Sequence, residues 1–232
     1  MRGLKGIGLA LVAALFVPFA WAQTGDWSEE IAALAHKDGF VDLYLDAEGG
    51  RVLVALPAPY EDGVSLRAIQ ATGLTAGLGS NPIGLDRGRA NGGEIVAFRK
   101  VGEKVVAEIE NWAYRASADN PLERKAVRDS FARSFVWSGE ILGTGPEGEL
   151  LVDLSTYLTR DTMDVRATLK QHPKGGAFQV SKDLSMPDVS AALAFPDNVE
   201  FDAFLTLASD EPKAEVWATA ADARSVTLVQ HT

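Results

Sequence analysis

The stretch that decides the fold runs from Gly93 to Glu110 and reads GEIVAFRKVGEKVVAEIE. Apolar and polar residues alternate on both sides of Gly102, which is the pattern of two β-strands that each bury one face. Glycine at the first central position suits a type II′ turn, a tight turn that joins antiparallel strands. That turn predicts a hairpin in which Ala97 pairs with Glu108, with one apolar face toward a core and one solvated face.

Similar strand patterns lie on both sides of this hairpin along the chain. They span residues 40–46, 51–56, 64–71, 135–142, 149–154, 177–181, 199–208 and 225–231. The run 199–208 is the most regular, because it carries an apolar residue at every second position. Strand runs separated by turn residues predict a β-rich α+β fold, with mostly antiparallel sheets built from hairpins and a few short helices.

Three short helices are predicted. The first has Ser28 as its N-cap and extends through Ala35, and the third covers residues 162–170. The second opens at Asn120-Pro121, where asparagine caps the helix and proline occupies the first turn at no cost in hydrogen bonds. Its apolar stripe consists of Leu122, Ala126, Val127 and Phe131.

The first 22 residues have the three-part layout of a secretory signal peptide. Arg2 and Lys5 are positive, residues 7–17 are apolar, and small residues precede the expected cleavage after Ala22. A membrane anchor is the alternative, but the apolar run is short for a span and Pro18 ends it. We therefore expect an exported protein, periplasmic or extracellular, with no membrane span after signal cleavage.

The chain is thus divided into a signal peptide at 1–22, an N-terminal helical lead-in at 23–38 and a β-rich domain at 39–232. The last residues, from Ser225 to Thr232, stop within a strand pattern. We expect the domain to be incomplete at its C-terminal end.

Charge and cysteine content exclude several classes of function. The chain holds 22 Lys and Arg against 32 Asp and Glu, a net charge of -10, so nucleic acid is not an expected partner. The sequence has no cysteine, which removes disulfides, thiol nucleophiles and thiolate metal sites.

The search for catalytic motifs gives no candidate. The three histidines are His36, His172 and His231; none forms an HExxH pair, and each is expected to be a surface histidine. Glu108 and Glu110 lie about 6.6 Å apart on one strand face, but beside cations, so we expect a charge-balanced, solvated sheet face. The sequence therefore predicts no catalytic residue and no metal ligand in this chain.

The most unusual segment is the glycine-rich loop from Gly77 to Gly88, which reads GLGSNPIGLDRG. It matches neither the dinucleotide fingerprint nor the P-loop. One interpretation is a structural crossing between sheet edges, with Asn81-Pro82 starting a turn. The other is a shaped loop that presents Asp86 and Arg87 to a ligand or partner, since loops often carry function. These two residues are the candidate binding residues.

Several segments, in this order, resemble the N-terminal region of large secreted bacterial zinc-dependent metalloproteases. They are the motifs GFVDLY at 39–44, the glycine-rich loop at 77–88, VAFRKVG at 96–102, AVRDSFA at 126–132 and AFPDN at 194–198. In those proteins this region is a domain of unknown function, and the zinc motif HExxHxxGxxH lies well downstream.

That zinc motif has no counterpart in this sequence, so the resemblance transfers no catalytic or zinc-binding residue. It implies a non-catalytic region with a structural or docking role, whose partner is a metalloprotease catalytic domain in cis or in trans. Zinc is then expected only in that downstream domain, and the chain would be a fragment of a metalloendopeptidase. A free-standing exported β-rich binding module is the alternative.

Overall fold

The computed structural model describes residues 27–116 and 119–232. The predicted signal peptide and its cleavage site lie outside the described residues. Within these ranges the α-helices are α1 Ser28–Ile31, α2 Pro121–Ser130, α3 Ser155–Leu158, α4 Val165–Gln171 and α5 Ala214–Thr219. The strands are β1 Ala35–Lys37, β2 Asp42–Asp46, β3 Arg51–Leu56, β4 Val64–Gln70, β5 Gly73–Ala76, β6 Glu94–Val101, β7 Lys104–Ile109, β8 Ser134–Thr144, β9 Leu150–Asp153, β10 Gln179–Val180, β11 Met186–Ala194, β12 Val199–Ala208 and β13 Ser225–His231.

These strands form two antiparallel sheets. The larger has eight strands in the order β1-β2-β3-β9-β8-β7-β6-β4. The smaller has the order β10-β12-β13-β5, and β11 pairs with β12 beside it. The structure therefore confirms the predicted β-rich fold with antiparallel sheets and short helices. No helix among the described residues is long and apolar enough to cross a membrane.

The hairpin predicted from residues 93–110 is present with the predicted register. Ala97 pairs with Glu108 and Arg99 with Val106. Gly102 has φ +60°, and the following Glu103 has no positive φ, as a type II′ turn requires. The turn type therefore predicted the pairing of the two strands correctly.

A first core lies between the two sheets, and a second lies between the smaller sheet, α4, α5 and the glycine-rich loop. Leu43, Val54 and Phe98 belong to the first core, while Leu85 and Leu169 belong to the second. A third, smaller cluster joins the α1 region to the opposite face of the large sheet. We call that face, turned away from the first core, the outer face.

Strand β12 shows how regular alternation serves this arrangement. Phe201 and Ala203 pack in the first core, while Leu205 and Leu207 pack in the second. All four point to the same side of the strand, as the two-residue period predicts. One strand face therefore contributes to both large cores.

The structure corrects the prediction of a helical lead-in. Helix α1 ends at Ile31, and Ala35–Lys37 is instead an edge strand paired with β2. A helix of four residues is marginal by itself, whereas the free edge of β2 supplies hydrogen bonds to the chain that follows. His36 therefore lies on a strand and not at the end of a helix.

The start of helix α2 is confirmed, but its predicted apolar stripe is not buried. The Asn120 side chain accepts a hydrogen bond from the Leu122 amide, and Pro121 follows the cap. Leu122 is nevertheless 74% exposed, and α2 contains no buried residue. Hydrophobic periodicity predicts which residues share a helix face, but only the surrounding structure decides whether that face is covered.

Candidate functional site

A cleft of about 930 Å³ opens on the outer face of the large sheet, between strands β4, β6 and β7 and the described residues of the segment 111–133, which are 111–116 and 119–133. Its lining is rich in arginine, although the chain as a whole is acidic. The arginines of the lining are Arg67, Arg99, Arg115, Arg124, Arg128 and Arg133. The lining carboxylates are Asp62, Glu108, Glu110 and Asp129. We call this region the arginine cleft.

Glu108 forms the floor of the arginine cleft and is only 8% exposed. Arg133 binds both of its carboxylate oxygens, with Nε donating to Oε1 at 2.7 Å and Nη2 donating to Oε2. Arg99 adds an ion pair through Nε at 3.5 Å. The Arg133 hydrogen bonds, and then the charges of both arginines, hold the pKa of Glu108 below its usual range despite its burial. Glu108 is therefore an ionised anchor for two arginines.

A second anchored pair lies beside the first. Arg67 Nε donates to both oxygens of Glu110, at 3.0 and 2.9 Å. The indole of Trp112 also donates to Glu110, at 2.9 Å. Glu110 thus holds a cation and an aromatic ring in place at the mouth of the cleft.

Two further arginines carry no carboxylate partner among the described residues. The Arg115 guanidinium lies over the Trp112 ring at 4.9 Å from its centroid. Arg128 is exposed, in the last turn of α2. Unneutralised guanidinium groups of this kind bind carboxylates or phosphates through two parallel hydrogen bonds.

Exposed aromatic rings surround these cations. Tyr114 stacks on Phe131 with ring centroids 4.3 Å apart, and Tyr114 is 57% exposed. Trp112 is 46% exposed. Arginine, tryptophan and tyrosine are the residues that contribute most to binding energy at protein interfaces. The arrangement can therefore bind an acidic polypeptide segment that also offers apolar side chains.

The predicted binding residues Asp86 and Arg87 lie elsewhere, on the glycine-rich loop. Asp86 is half-buried, and its Oδ1 atom is buried without a hydrogen-bond partner among the described residues. Arg87 is exposed. Neither lines the arginine cleft. The structure does not bring them together with any other residue that the sequence singled out as a candidate for chemistry.

The rest of the glycine-rich loop is built into the second core. Leu78, Ile83 and Leu85 are all buried there. A Cβ at Gly77 would lie 2.0 Å from the carbonyl oxygen of Leu85, so only glycine allows this backbone crossing. Asn81 starts a turn, since its side chain accepts from the Ile83 amide at 2.9 Å. The glycines therefore serve the packing of the loop against the core.

Comparison with known proteins identifies the family. The model of DUF5117, a domain of unknown function, matches residues 88–232. The chain belongs to the DUF5117 family. The matched part includes β6, β7 and the whole segment 111–133, so most of the arginine cleft lies within the DUF5117 domain. No curated protein and no solved structure gives a significant match.

Sequence reasoning missed the arginine cleft, because its residues come from β4, β6, β7 and α2. It also expected Glu108 to be solvated, and that expectation was wrong, since the segment 111–133 covers this part of the sheet. One signal was available. Arg124, Arg128 and Arg133 lie within ten residues of an otherwise acidic chain, beside Phe131 and Phe135. Such a local excess of arginine and aromatic residues indicates a binding surface.

Proposed function

We propose that this chain is the non-catalytic N-terminal region of an exported zinc-dependent metalloprotease, and that it docks the catalytic domain through the arginine cleft. The observation that carries the docking role is the cleft itself, with unneutralised arginines and exposed aromatic rings in an acidic chain. The ordered resemblance of five sequence segments supports the metalloprotease context. Membership in DUF5117 is compatible with this proposal and specifies no activity.

Each part of the cleft has a distinct role in this proposal. Glu108 and Glu110 hold Arg133 and Arg67 in fixed positions. Arg115 and Arg128 bind carboxylates of the partner, and Trp112, Tyr114 and Phe131 pack against its apolar side chains. The stacking of Arg115 on the Trp112 ring, which the Trp112–Glu110 hydrogen bond holds in turn, limits the conformational entropy that Arg115 loses on binding and so favours affinity.

The proposed link to a metalloprotease is tested first by reading the coding sequence around this gene. We expect the coding region after the Thr232 codon, or a neighbouring gene, to encode HExxHxxGxxH. Its absence from both would overturn the metalloprotease assignment and leave a free-standing binding module.

The docking role is then tested with that catalytic domain as the probe, using calorimetry at low and high salt. We expect the double variant Arg115→Ala, Arg128→Ala to bind at least tenfold more weakly than the wild type. The matched control is Asp86→Ala, Arg87→Ala, which also removes an exposed arginine but lies outside the cleft. Equal binding by the wild type and the cleft variant would overturn the docking role of the arginine cleft. Weaker binding by the control variant alone would assign docking to the glycine-rich loop.

A further inference from the structure

A second cluster of chemistry-bearing side chains lies at the other end of the outer face, on β1 and β2. The pairing of these strands places His36 opposite Tyr44. Asp38 comes two residues after His36, and Asp42 comes two residues before Tyr44, so all four side chains share one face. The two carboxylates are therefore brought to the imidazole by the strand register.

The imidazole is held in a defined orientation. It stacks on the Tyr44 ring with centroids 4.7 Å apart and an angle of 9° between the planes. Tyr44 itself is packed against the cluster formed by Trp27, Leu53 and Leu151. The half-buried ring that supports His36 is thus held by packing on the outer face.

The distances within this cluster match those between metal ligands. His36 Nε2 lies 3.5 Å from Asp38 Oδ1 and 3.4 Å from Asp42 Oδ2. Both distances are long for hydrogen bonds. A tetrahedral zinc ion with bonds of about 2.1 Å separates neighbouring ligand atoms by about 3.4 Å. The three donor atoms all lie within 4.8 Å of one another.

We propose that His36, Asp38 and Asp42 bind a divalent transition-metal ion, with Zn²⁺ as the best match. Two carboxylates neutralise the charge of the ion, and the imidazole nitrogen favours zinc over calcium or magnesium, which prefer oxygen ligands. The side chains of His36, Asp38 and Asp42 are 40%, 89% and 42% exposed, so the ion has access and keeps water at its remaining positions. His36 is exposed, as expected for a surface histidine, and the proposal gives this surface histidine a ligand.

The bound ion has a structural consequence. It links the short edge strand β1 to the first residue of β2 through side chains, across the turn at residues 39–41. A cleft of about 550 Å³, lined by Asp42, Tyr44, Glu147 and Glu149 among others, opens beside the ion. The site is separate from the arginine cleft and does not depend on the proposed function.

The experiment titrates chelator-treated, purified protein with ZnCl₂ by calorimetry and follows thermal unfolding with and without zinc. We expect one zinc ion per chain and a melting temperature that rises with zinc. His36→Ala and, separately, Asp42→Asn should each weaken zinc binding at least tenfold and abolish the rise in melting temperature. Because these side chains are partly exposed, both variants should retain the wild-type circular dichroism spectrum.

The matched control is His172→Ala, which removes a half-buried histidine at the C-terminal end of α4, outside the cluster. It should bind zinc as the wild type does. Cobalt substitution adds a spectroscopic test, since Co²⁺ at this site should give visible absorption bands that His36→Ala lacks. Absence of stoichiometric zinc binding, or equal binding by wild type and His36→Ala, would overturn the proposal.

Discussion

The glycine-rich loop 77–88 connects β5 to β6, and the segment 111–133 lies between β7 and β8, but the structure uses their described residues in opposite ways. The loop buries Leu78, Ile83 and Leu85 in the second core. The segment contains a helix with no buried residue and leaves its aromatic rings exposed. The comparison teaches that a high glycine content indicates close packing of the backbone, whereas unburied apolar and arginine side chains indicate a surface available for binding.

A matched pair of leucine variants gives the sharpest test of this comparison. Leu85→Ala should destabilise the fold by about 2–5 kcal/mol, because it leaves a cavity in the second core. Leu122→Ala, on α2, should change the free energy of unfolding by less than about 0.5 kcal/mol. Urea unfolding measures both, and equal losses would show that α2 is packed as tightly as the loop.

A pair of glycine variants tests the backbone crossing. Gly77→Ala should cost up to about 3 kcal/mol, because its Cβ collides with the backbone of Leu85. Gly92→Ala has no atom within 4 Å of the added Cβ and should be neutral or slightly stabilising. Thermal melts separate the two, and a neutral Gly77→Ala would mean that the crossing is not tight.

Glu108 tests the opposite region, where the anchor of the arginine cleft contributes stability. Glu108→Gln should cost about 1–2 kcal/mol at neutral pH, a modest value because Arg133 is half-exposed. The lowered pKa of Glu108 means that this stabilisation is present above the usual pKa of glutamate and is lost as the pH falls through the lowered pKa. The wild type and the variant should therefore approach each other in stability as the pH falls from the usual pKa of glutamate through the lowered pKa of Glu108.

Asp129→Asn is the control for Glu108, because Asp129 also lines the cleft but its side chain and that of its partner Lys125 are both exposed. It should change stability by less than about 0.5 kcal/mol at every pH. Urea unfolding at several pH values measures both variants. A difference between wild type and Glu108→Gln that stays constant down to pH 3 would contradict the role assigned to this carboxylate.

The smallest effect is expected at the loop residues that the sequence singled out. The double variant Asp86→Ala, Arg87→Ala should change the free energy of unfolding by no more than about 0.5 kcal/mol, since neither side chain has a charged partner among the described residues. A loss of about 2 kcal/mol or more in thermal melts would mean that these side chains belong to the structural part of the loop.

The sequence predicted the local structure correctly wherever one short segment determines the backbone geometry. The type II′ turn at Gly102 fixed the register of β6 and β7, and the Asn120 cap fixed the start of α2. The regular alternation of β12 correctly predicted its buried face. Each of these features depends on neighbours within a few residues.

Local sequence patterns could not predict contacts that depend on the order of the strands in the sheet. Arg67 and Glu110 meet because β4 lies beside β6, and β6 beside β7, although the two residues are distant in sequence. His36 meets Asp42 because β1 is a strand, which the helical prediction hid. The exposure of Leu122 depends on what covers α2, and no local pattern contains that information.

The face of β12 that enters both large cores has a consequence for unfolding. Phe201 and Leu205 lie on one continuous hydrogen-bonded strand, and β13 pairs with it from Asp202 to Ala208. If one core began to unfold, its β12 side chains would become exposed, but the backbone of β12 would still be held in place by the side chains packed in the other core. We therefore expect the two cores to unfold as a single cooperative unit, and the backbone amides of Ala203 to Leu207 to be the slowest to exchange with deuterium.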